Sequence, residues 1–260
     1  MPSPLPLSNV EKATLAVGLS WGAGLIDVVG YLTLYKAFVA HMTGNTVSSV
    51  MHGMEHNWPE LLHRGTPIPA FFAGLLAAEV ALEAAKRHGR RNVATRALAI
   101  EAFCLGAFLG FGRWILGGGA PPVTEPTTPQ FVFLVALIAV AMGVQSAAMR
   151  KVGALTIFTT FITGTLTKLA EDLGKYLFWL RDRTRGRVRQ RLGKALRLSM
   201  RQESFQSVVL LALLYLAYGG GALFGVFGFH RWGVIIAAAP LTLVLVTIGV
   251  DLVRPISPVP

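Results

Sequence analysis

Six long apolar stretches with almost no charged residues run through the chain. They cover about 13–35, 67–85, 97–116, 130–149, 205–227 and 232–250. Each has about 19–23 residues, which is the length an α-helix needs to cross ~30 Å of hydrocarbon. None shows the strict alternation of a transmembrane β-strand. The pattern therefore predicts an all-α, polytopic membrane protein with six transmembrane helices.

Two further segments are apolar but contain a Thr-Gly phrase. They read FVAHMTGNTVSSV at 38–50 and FTTFITGTLTKLA at 158–170, and their Thr-Gly pairs stand 120 residues apart. We expect the phrase to break a helix in each segment, and irregular backbone at membrane depth needs protein or a water-filled cavity around it. The chain is therefore predicted to carry two re-entrant or interfacial segments that do not cross the membrane.

The charge distribution gives an orientation. Only 14% of the 260 residues are charged, against about 25% in soluble domains. The net charge of +11 is concentrated at 86–91 and at 181–201, where eight Arg and one Lys accompany one Asp, whereas 117–129 has neither Lys nor Arg. Since short cytoplasmic loops collect Lys and Arg, 86–95 and 174–203 are predicted to be cytoplasmic, and so are both termini.

The order of the segments suggests an internal repeat. One span, a Thr-Gly segment and two more spans occupy about 13–116, and the same order returns at about 130–250. Three crossings separate the copies, so the second would be upside down. We therefore predict one membrane domain over 1–260, built as a 3+3 inverted repeat, which is a plan that recurs in secondary transporters.

The candidate solute- or ion-binding residues are polar groups within these apolar surroundings. A carboxylate at mid-depth costs about 2.5–3.5 kcal/mol on insertion scales, so Asp27 marks a pathway or a helix-packing hydrogen bond. Other spans offer Asp27 four polar partners, which are Gln145, Ser146, Arg113 and Glu101. The Thr-Gly phrases either contact a solute or only cap a broken helix. The full candidate set is Asp27, His41, Thr43, Gly44, Asn45, Gln145, Thr163, Gly164 and Thr165.

Other chemistry finds little support in the sequence. The single cysteine, Cys104, excludes an internal disulfide. The chain lacks H-E-x-x-H and G-x-S-x-G motifs, so we expect neither an enzyme nor a metal or cofactor site.

The basic segment 181–201 repeats an apolar residue every four positions, which favours a helix on anionic lipid over a nucleic-acid partner. Small-xxx-small patterns allow close helix packing or a homodimer.

Two local signals predict helix geometry. Ser8 followed by Glu11 is typical of a capping box that opens the first helix. Pro240 falls midway in the last predicted span and is expected to kink it.

The first Thr-Gly segment resembles a known family signature. In GLIDVVGYLTLYKAFVAHMTGNTV, Gly24, Asp27, Tyr31, Phe38 and the block 42–45 match the DUF1275 (YoaK-like, UPF0700) family of bacterial membrane proteins. The motif GVQSA and the Thr-rich block at 159–165 match its second signature, although this chain has Gln145-Ser146 where the family commonly has Gln-Asn. The resemblance covers about 13–250 and implies a six-span protein of the bacterial inner membrane, without implying an activity.

Two functions follow as hypotheses. The first is a transporter or channel for a small solute or ion, with its site at Asp27 and the two Thr-Gly turns. The alternative is a membrane scaffold or sensor that transports nothing and docks through the basic loop at 181–201.

Overall fold

The described part of the chain is helical throughout. The computed structural model describes residues 7–89, 92–116, 128–152, 162–184, 198–200 and 202–256, and these contain no strand. The main helices are α1 (Asn9–Thr33), α2 (Met42–Met54), α3 (Trp58–Gly65), α4 (Pro67–Arg87), α5 (Val93–Leu116), α6 (Pro129–Val152), α7 (Ile162–Thr184), α8 (Glu203–Trp232), the 3₁₀ helix η1 (Gly233–Ala237) and α9 (Ala238–Val253). The predicted all-α class is confirmed for these residues.

Five stretches of the described chain are long and apolar enough to cross a membrane. They are Asn9–Thr33, Trp58–Arg87, Val93–Ile115, Pro129–Met149 and Glu203–Val253, the last with 51 residues. The first and fourth are the most enclosed, with 61% and 72% of their most apolar windows buried, against 28% for the second. Helices α1 and α6 therefore form the centre of the protein, and the others surround them.

The start of α1 is fixed as the sequence predicts. The Ser8 hydroxyl accepts a hydrogen bond from the Glu11 N–H, and the Glu11 carboxylate accepts one from the Ser8 N–H at 2.8 Å. The same carboxylate pairs with Arg254 at 2.6 Å, just beyond α9. Because the Leu7 N–H also donates to the Pro255 carbonyl, both ends of the described chain lie together.

The last span differs from the sequence prediction. Gly233 adopts a left-handed φ of 57° at the end of α8, and η1 follows before α9 begins at Ala238. Pro240 is therefore the third residue of α9, in the first turn, where a proline removes no helical hydrogen bond. The predicted kink at Pro240 is wrong, because the helix begins beside the proline and is not bent by it.

Helices α1 and α8 run in the same direction and are in close contact. The Ser20 hydroxyl donates to the Leu214 carbonyl at 2.9 Å, and further along Gly225 lies against the Leu25 backbone. Between these points, a Cβ added to Gly24 would lie 2.0 Å from the Tyr218 carbonyl oxygen. Only glycine permits this approach of the two backbones.

The reverse contact completes this pair. A Cβ added to Gly221 would lie 1.9 Å from the Trp21 carbonyl oxygen. Gly24 therefore faces the carbonyl of Tyr218, three residues before Gly221. Gly221 faces the carbonyl of Trp21, three residues before Gly24. Small residues at such crossings are typical of helices that pack inside membranes.

Helices α4 and α6 meet in the same way. A Cβ on Gly74 would lie 2.2 Å from the Val140 carbonyl oxygen, and one on Gly143 would lie 2.2 Å from that of Phe71. Again each glycine faces the carbonyl three residues before the glycine of its neighbour.

Helix α9 runs against the direction of α1. Gly22 of α1 lies against Pro240 at the start of α9, and Glu11 near the start of α1 pairs with Arg254 after its end. Since α8 is parallel to α1, α8 and α9 point in opposite directions within the 51-residue apolar stretch.

Candidate functional site

The chain turns back on itself after α1. Tyr35 and Lys36 adopt positive φ values of 46° and 60°, which reverse the backbone. The Val39 methyl groups then lie against Gly30, where an added Cβ would come within 2.8 Å of them. Residues 37–40 therefore run back alongside the last turns of α1, and the irregular segment is 34–41.

Helix α3 holds the top of this turn. The His63 ring, which is fully buried, hydrogen-bonds through Nε2 to the Leu34 carbonyl at 2.9 Å. The Arg64 guanidinium donates to the Lys36 carbonyl. Carbonyls that have left the α1 ladder thus receive partners, as buried backbone groups require.

Asp27 hydrogen-bonds the backbone at the other end of this turn. One carboxylate oxygen accepts hydrogen bonds from the N–H groups of Val39 at 3.2 Å and Ala40 at 3.1 Å. The other oxygen accepts one from the Tyr218 hydroxyl at 2.7 Å, on α8. Only 5% of Asp27 is exposed. The carboxylate therefore ties α1, the irregular segment and α8 together.

His41 brings a titratable partner to the same carboxylate. Its Nδ1 lies 2.6 Å from the second oxygen of Asp27, and 35% of its side chain is exposed. The neighbouring Asp27 carboxylate raises the pKa of His41 above its ordinary value, although partial burial acts in the opposite direction. A buried acid is thus paired with an imidazole that reaches the protein surface.

Asn45 of α2 also binds the backbone of the irregular segment through its side chain. Its side-chain amide donates to the Phe38 carbonyl at 2.6 Å and accepts from the Phe38 N–H at 3.2 Å. The side chain is 1% exposed. Its polar atoms are occupied by this clamp, which keeps His41 beside Asp27.

Thr43 and Gly44 lie on the open side of the site. Both are exposed and occupy the second and third positions of α2. They begin a shallow groove of about 470 Å³ lined by Thr43, Gly44, Val47, Ser48, Met51, His52 and Glu55. The predicted break at this phrase is wrong in position, because the irregular backbone precedes the Thr-Gly pair and the pair starts a helix.

The second Thr-Gly phrase also lies near the start of a helix. Thr163 and Gly164 are the second and third residues of α7 as the structure describes it, while Gly164 is exposed and Thr165 is buried. The preceding residues of the phrase, 153–161, lie outside the described residues, as does most of the basic segment 181–201.

Helix α7 is fixed to α8 through a second buried acid. The Asp172 carboxylate accepts hydrogen bonds from the Ser207 hydroxyl and from Lys168, the latter at 3.1 Å. Burial raises the pKa of Asp172, but these two donors outweigh it and hold that pKa below its ordinary value. Ser207 stands eleven residues before Tyr218 on α8, which is about 16 Å along the helix. The second Thr-Gly helix therefore attaches to α8 well away from Asp27.

Gln145 is placed apart from Asp27. It is buried in α6, and its side-chain Nε2 donates to the Leu19 carbonyl at 3.4 Å. Within the described residues, Asp27 takes none of its hydrogen bonds from α6 or α7. Of the nine candidate residues, the structure gathers Asp27, His41 and Asn45 around one point and leaves Thr43 and Gly44 beside it.

Tyr218 is the site residue that sequence reasoning missed. It is the partner of Asp27 from another span, although the sequence offered Gln145, Ser146, Arg113 and Glu101 instead. The available signal was a tyrosine within the apolar run of α8, next to the glycines at 219–221. A buried tyrosine hydroxyl usually has a hydrogen-bond partner.

Long apolar helices, glycine-mediated crossings and a buried, fully bonded carboxylate define a polytopic α-helical membrane protein. The chain belongs to the DUF1275 family, whose model, described as a protein of unknown function, matches residues 15–250. This confirms the family resemblance over nearly the same residues.

A curated relative supports the membrane class. The chain is 33% identical over 174 residues to the UPF0700 transmembrane protein YoaK of Bacillus subtilis (strain 168), which covers 66% of this chain and 72% of that protein. No solved structure matches the chain.

Proposed function

We propose that this protein is a transporter or channel for a small solute or ion, and that the Asp27–His41 pair takes up and releases a proton in its cycle. The observation that carries the proposal is the 2.6 Å contact between a buried carboxylate and a partly exposed imidazole. Ionisable groups within membrane-spanning segments are costly and usually mark substrate, ion or proton pathways. Histidine is the side chain whose ordinary pKa lies nearest to physiological pH.

The surroundings of the pair suit a change of charge. Three donors from Val39, Ala40 and Tyr218 bind the Asp27 carboxylate independently of His41. Loss of that proton would leave an uncompensated negative charge beside the irregular segment. A cation or a second proton would then be attracted to the start of the groove at Thr43.

We also propose that the chain crosses the membrane six times, as two inverted repeats. The 51-residue apolar stretch reverses direction between α8 and α9, which supports two crossings there. The α1–α8 and α4–α6 contacts share one geometry. In the first, α1 is the first span of the N-terminal half and α8 is the second span of the C-terminal half. In the second, α6 is the first span of the C-terminal half and α4 is the second span of the N-terminal half. Gly24 and Gly143 stand 119 residues apart, and Thr43 and Thr163 stand 120 apart, so the two offsets differ by a single residue.

The proposed orientation places both termini and the basic segment in the cytoplasm of a bacterial cell. Contact between the two described ends requires that they lie on one side, which fits an even number of crossings. Arg181 and Arg183 are exposed at the end of α7, where the basic segment begins, and anionic lipid is its proposed partner. A reporter fused near residue 187 that proved periplasmic would contradict this arrangement.

The transport proposal can be tested in liposomes. Purified protein would be reconstituted with a pH-sensitive dye inside, and proton flux would be followed alone and with panels of inorganic ions and small metabolites. Asp27→Asn keeps one carbonyl oxygen for the Val39 and Ala40 N–H groups but cannot pair with protonated His41. We expect it to abolish any flux that the wild type shows.

The control for this experiment is Asp251→Asn. Asp251 is also fully buried, but it accepts hydrogen bonds from Thr95 and from the Ile256 N–H and contacts no histidine among the described residues. We expect flux to survive in this variant. Equal flux in wild type and Asp27→Asn would refute the proposal. The scaffold or sensor would be favoured if the wild type shows no measurable flux and deletion of 183–201 abolishes the function of the protein in cells.

A further inference from the structure

The core of the protein contains an acid that the Asp27 site does not use. Glu101 lies in the middle of α5 and is 0% exposed. Both of its carboxyl oxygens are buried, and neither accepts a hydrogen bond of good geometry within the described residues. The other buried acids differ, because Asp27, Asp172 and Asp251 each accept several hydrogen bonds.

The groups around Glu101 offer it little compensation. Gln145 of α6 is its polar neighbour; one N–H of this amide is directed at the Leu19 carbonyl at 3.4 Å, which leaves the other N–H for Glu101. The Oε1 of Gln145 is itself buried without a donor. Cys104 stands one turn further along α5, and in the described part of the chain no Lys, Arg or His pairs with Glu101.

This arrangement contains more acceptors than donors. The two oxygen atoms of Glu101 and the side-chain oxygen of Gln145 are all buried, and the second N–H of the Gln145 amide is the one donor beside Glu101 in the described part of the chain. An ionised carboxylate in such a place has no countercharge and at most one amide donor, so burial strongly disfavours the charged form. A single proton on Glu101 removes the charge and also supplies the missing donor.

We propose that Glu101 is a proton-binding site, which holds its proton as a neutral carboxylic acid hydrogen-bonded to the Gln145 side-chain oxygen. The site is separate from the Asp27–His41 pair and does not depend on the transport proposal. Because α5 and α6 meet here, the proton also supplies a polar contact between a peripheral helix and the central one.

Infrared spectroscopy of the purified full-length protein tests this site at neutral pH. A neutral carboxylic acid shows a carbonyl-stretch band that a carboxylate lacks. We expect this band in the wild type and its loss in Glu101→Gln, with Asp251→Asn as a control that keeps it. Gln145→Leu should shift the band to higher frequency, because the acid loses its hydrogen bond to Gln145 and hydrogen bonding lowers the carbonyl-stretch frequency.

A second measurement needs no substitution. Glu101 is the one buried glutamate among the described residues, so carbon-13 labelling of all glutamates should shift the band of the unmodified protein to lower frequency. Absence of a carboxylic acid band, or a band that glutamate labelling leaves in place, would overturn the proposal. So would a band that disappears when Na⁺ replaces choline at constant pH, because the site would then bind a metal cation and not a proton.

Discussion

The glycine contacts between helices allow a sharp test of the packing. A Cβ at Gly24 would stand 2.0 Å from a backbone oxygen of α8, about 1.4 Å short of ordinary van der Waals contact. The obstacle is backbone, so α1 and α8 must separate to accept Gly24→Ala. Overpacking of this kind costs about 1–3 kcal/mol.

The matched controls are glycines with open space around them. A Cβ added to Gly106 of α5 would meet nothing within 4 Å beyond the backbone of its own helix, and the same holds for Gly18 of α1. Alanine there should stabilise the helix by about 0.5–1 kcal/mol, because glycine loses more chain entropy on folding. The sign of the effect is therefore expected to differ between Gly24→Ala and Gly18→Ala on the same helix.

Thermal unfolding in detergent measures this difference. For a chain of this size, each kcal/mol corresponds to about 2–4 °C in Tm. We expect Gly24→Ala and Gly74→Ala to lower the Tm by roughly 2–12 °C, and Gly18→Ala and Gly106→Ala to leave it unchanged or raise it slightly. Equal losses in all four variants would refute the close approach of the backbones.

Only one of the two destabilised variants should disturb the site. The carbonyl that obstructs Gly24→Ala belongs to Tyr218, whose hydroxyl bonds Asp27. Gly74→Ala meets the carbonyl of Val140 instead. A difference between the two in flux, at similar stability, would separate site geometry from general loosening.

Two further predictions concern the irregular segment. Because Asp27 raises the pKa of His41, the stabilisation from their pair is complete below the ordinary histidine value of about 6.5 and is lost as pH rises through the raised value. The Tm of the wild type should therefore fall over that range, and an equal fall in His41→Gln would contradict the assignment. Asn45→Leu removes both hydrogen bonds to Phe38 and should lower the free energy of unfolding by about 1–3 kcal/mol. Hydrogen exchange should become faster at the Phe38 amide, and unchanged exchange would show that the clamp is not needed.

The apolar pattern predicted the long helices well, because a span of the right length and composition has few alternatives in lipid. It failed at Pro240, because the pattern started the last span at 232, whereas η1 occupies Gly233–Ala237 and α9 begins only at Ala238. A proline interrupts a helix only when turns precede it, and here the preceding residues form η1. Hydropathy separated the two spans but did not show the 3₁₀ turn between them, because η1 is as apolar as the helix that follows it.

The site was predicted in part. Asp27 and His41 were found because polar groups are conspicuous in an apolar sequence. Their pairing was not predicted, because it depends on a backbone reversal at Tyr35 and Lys36, and neither residue type usually adopts positive φ. Tyr218 is 191 residues from Asp27 along the chain, and no local pattern connects residues so distant.

The parallel contact of α1 with α8 has a consequence for biosynthesis. Helix α1 finds its main neighbour only after about 190 further residues have been made, which takes roughly 10–40 s at elongation rates of about 5–20 residues per second. During that interval Asp27 lacks Tyr218, and the glycine surface of α1 has nothing to meet. Nascent α1 should therefore need an insertase or chaperone to hold it, and a chain truncated before residue 203 should be degraded although most of its spans are complete.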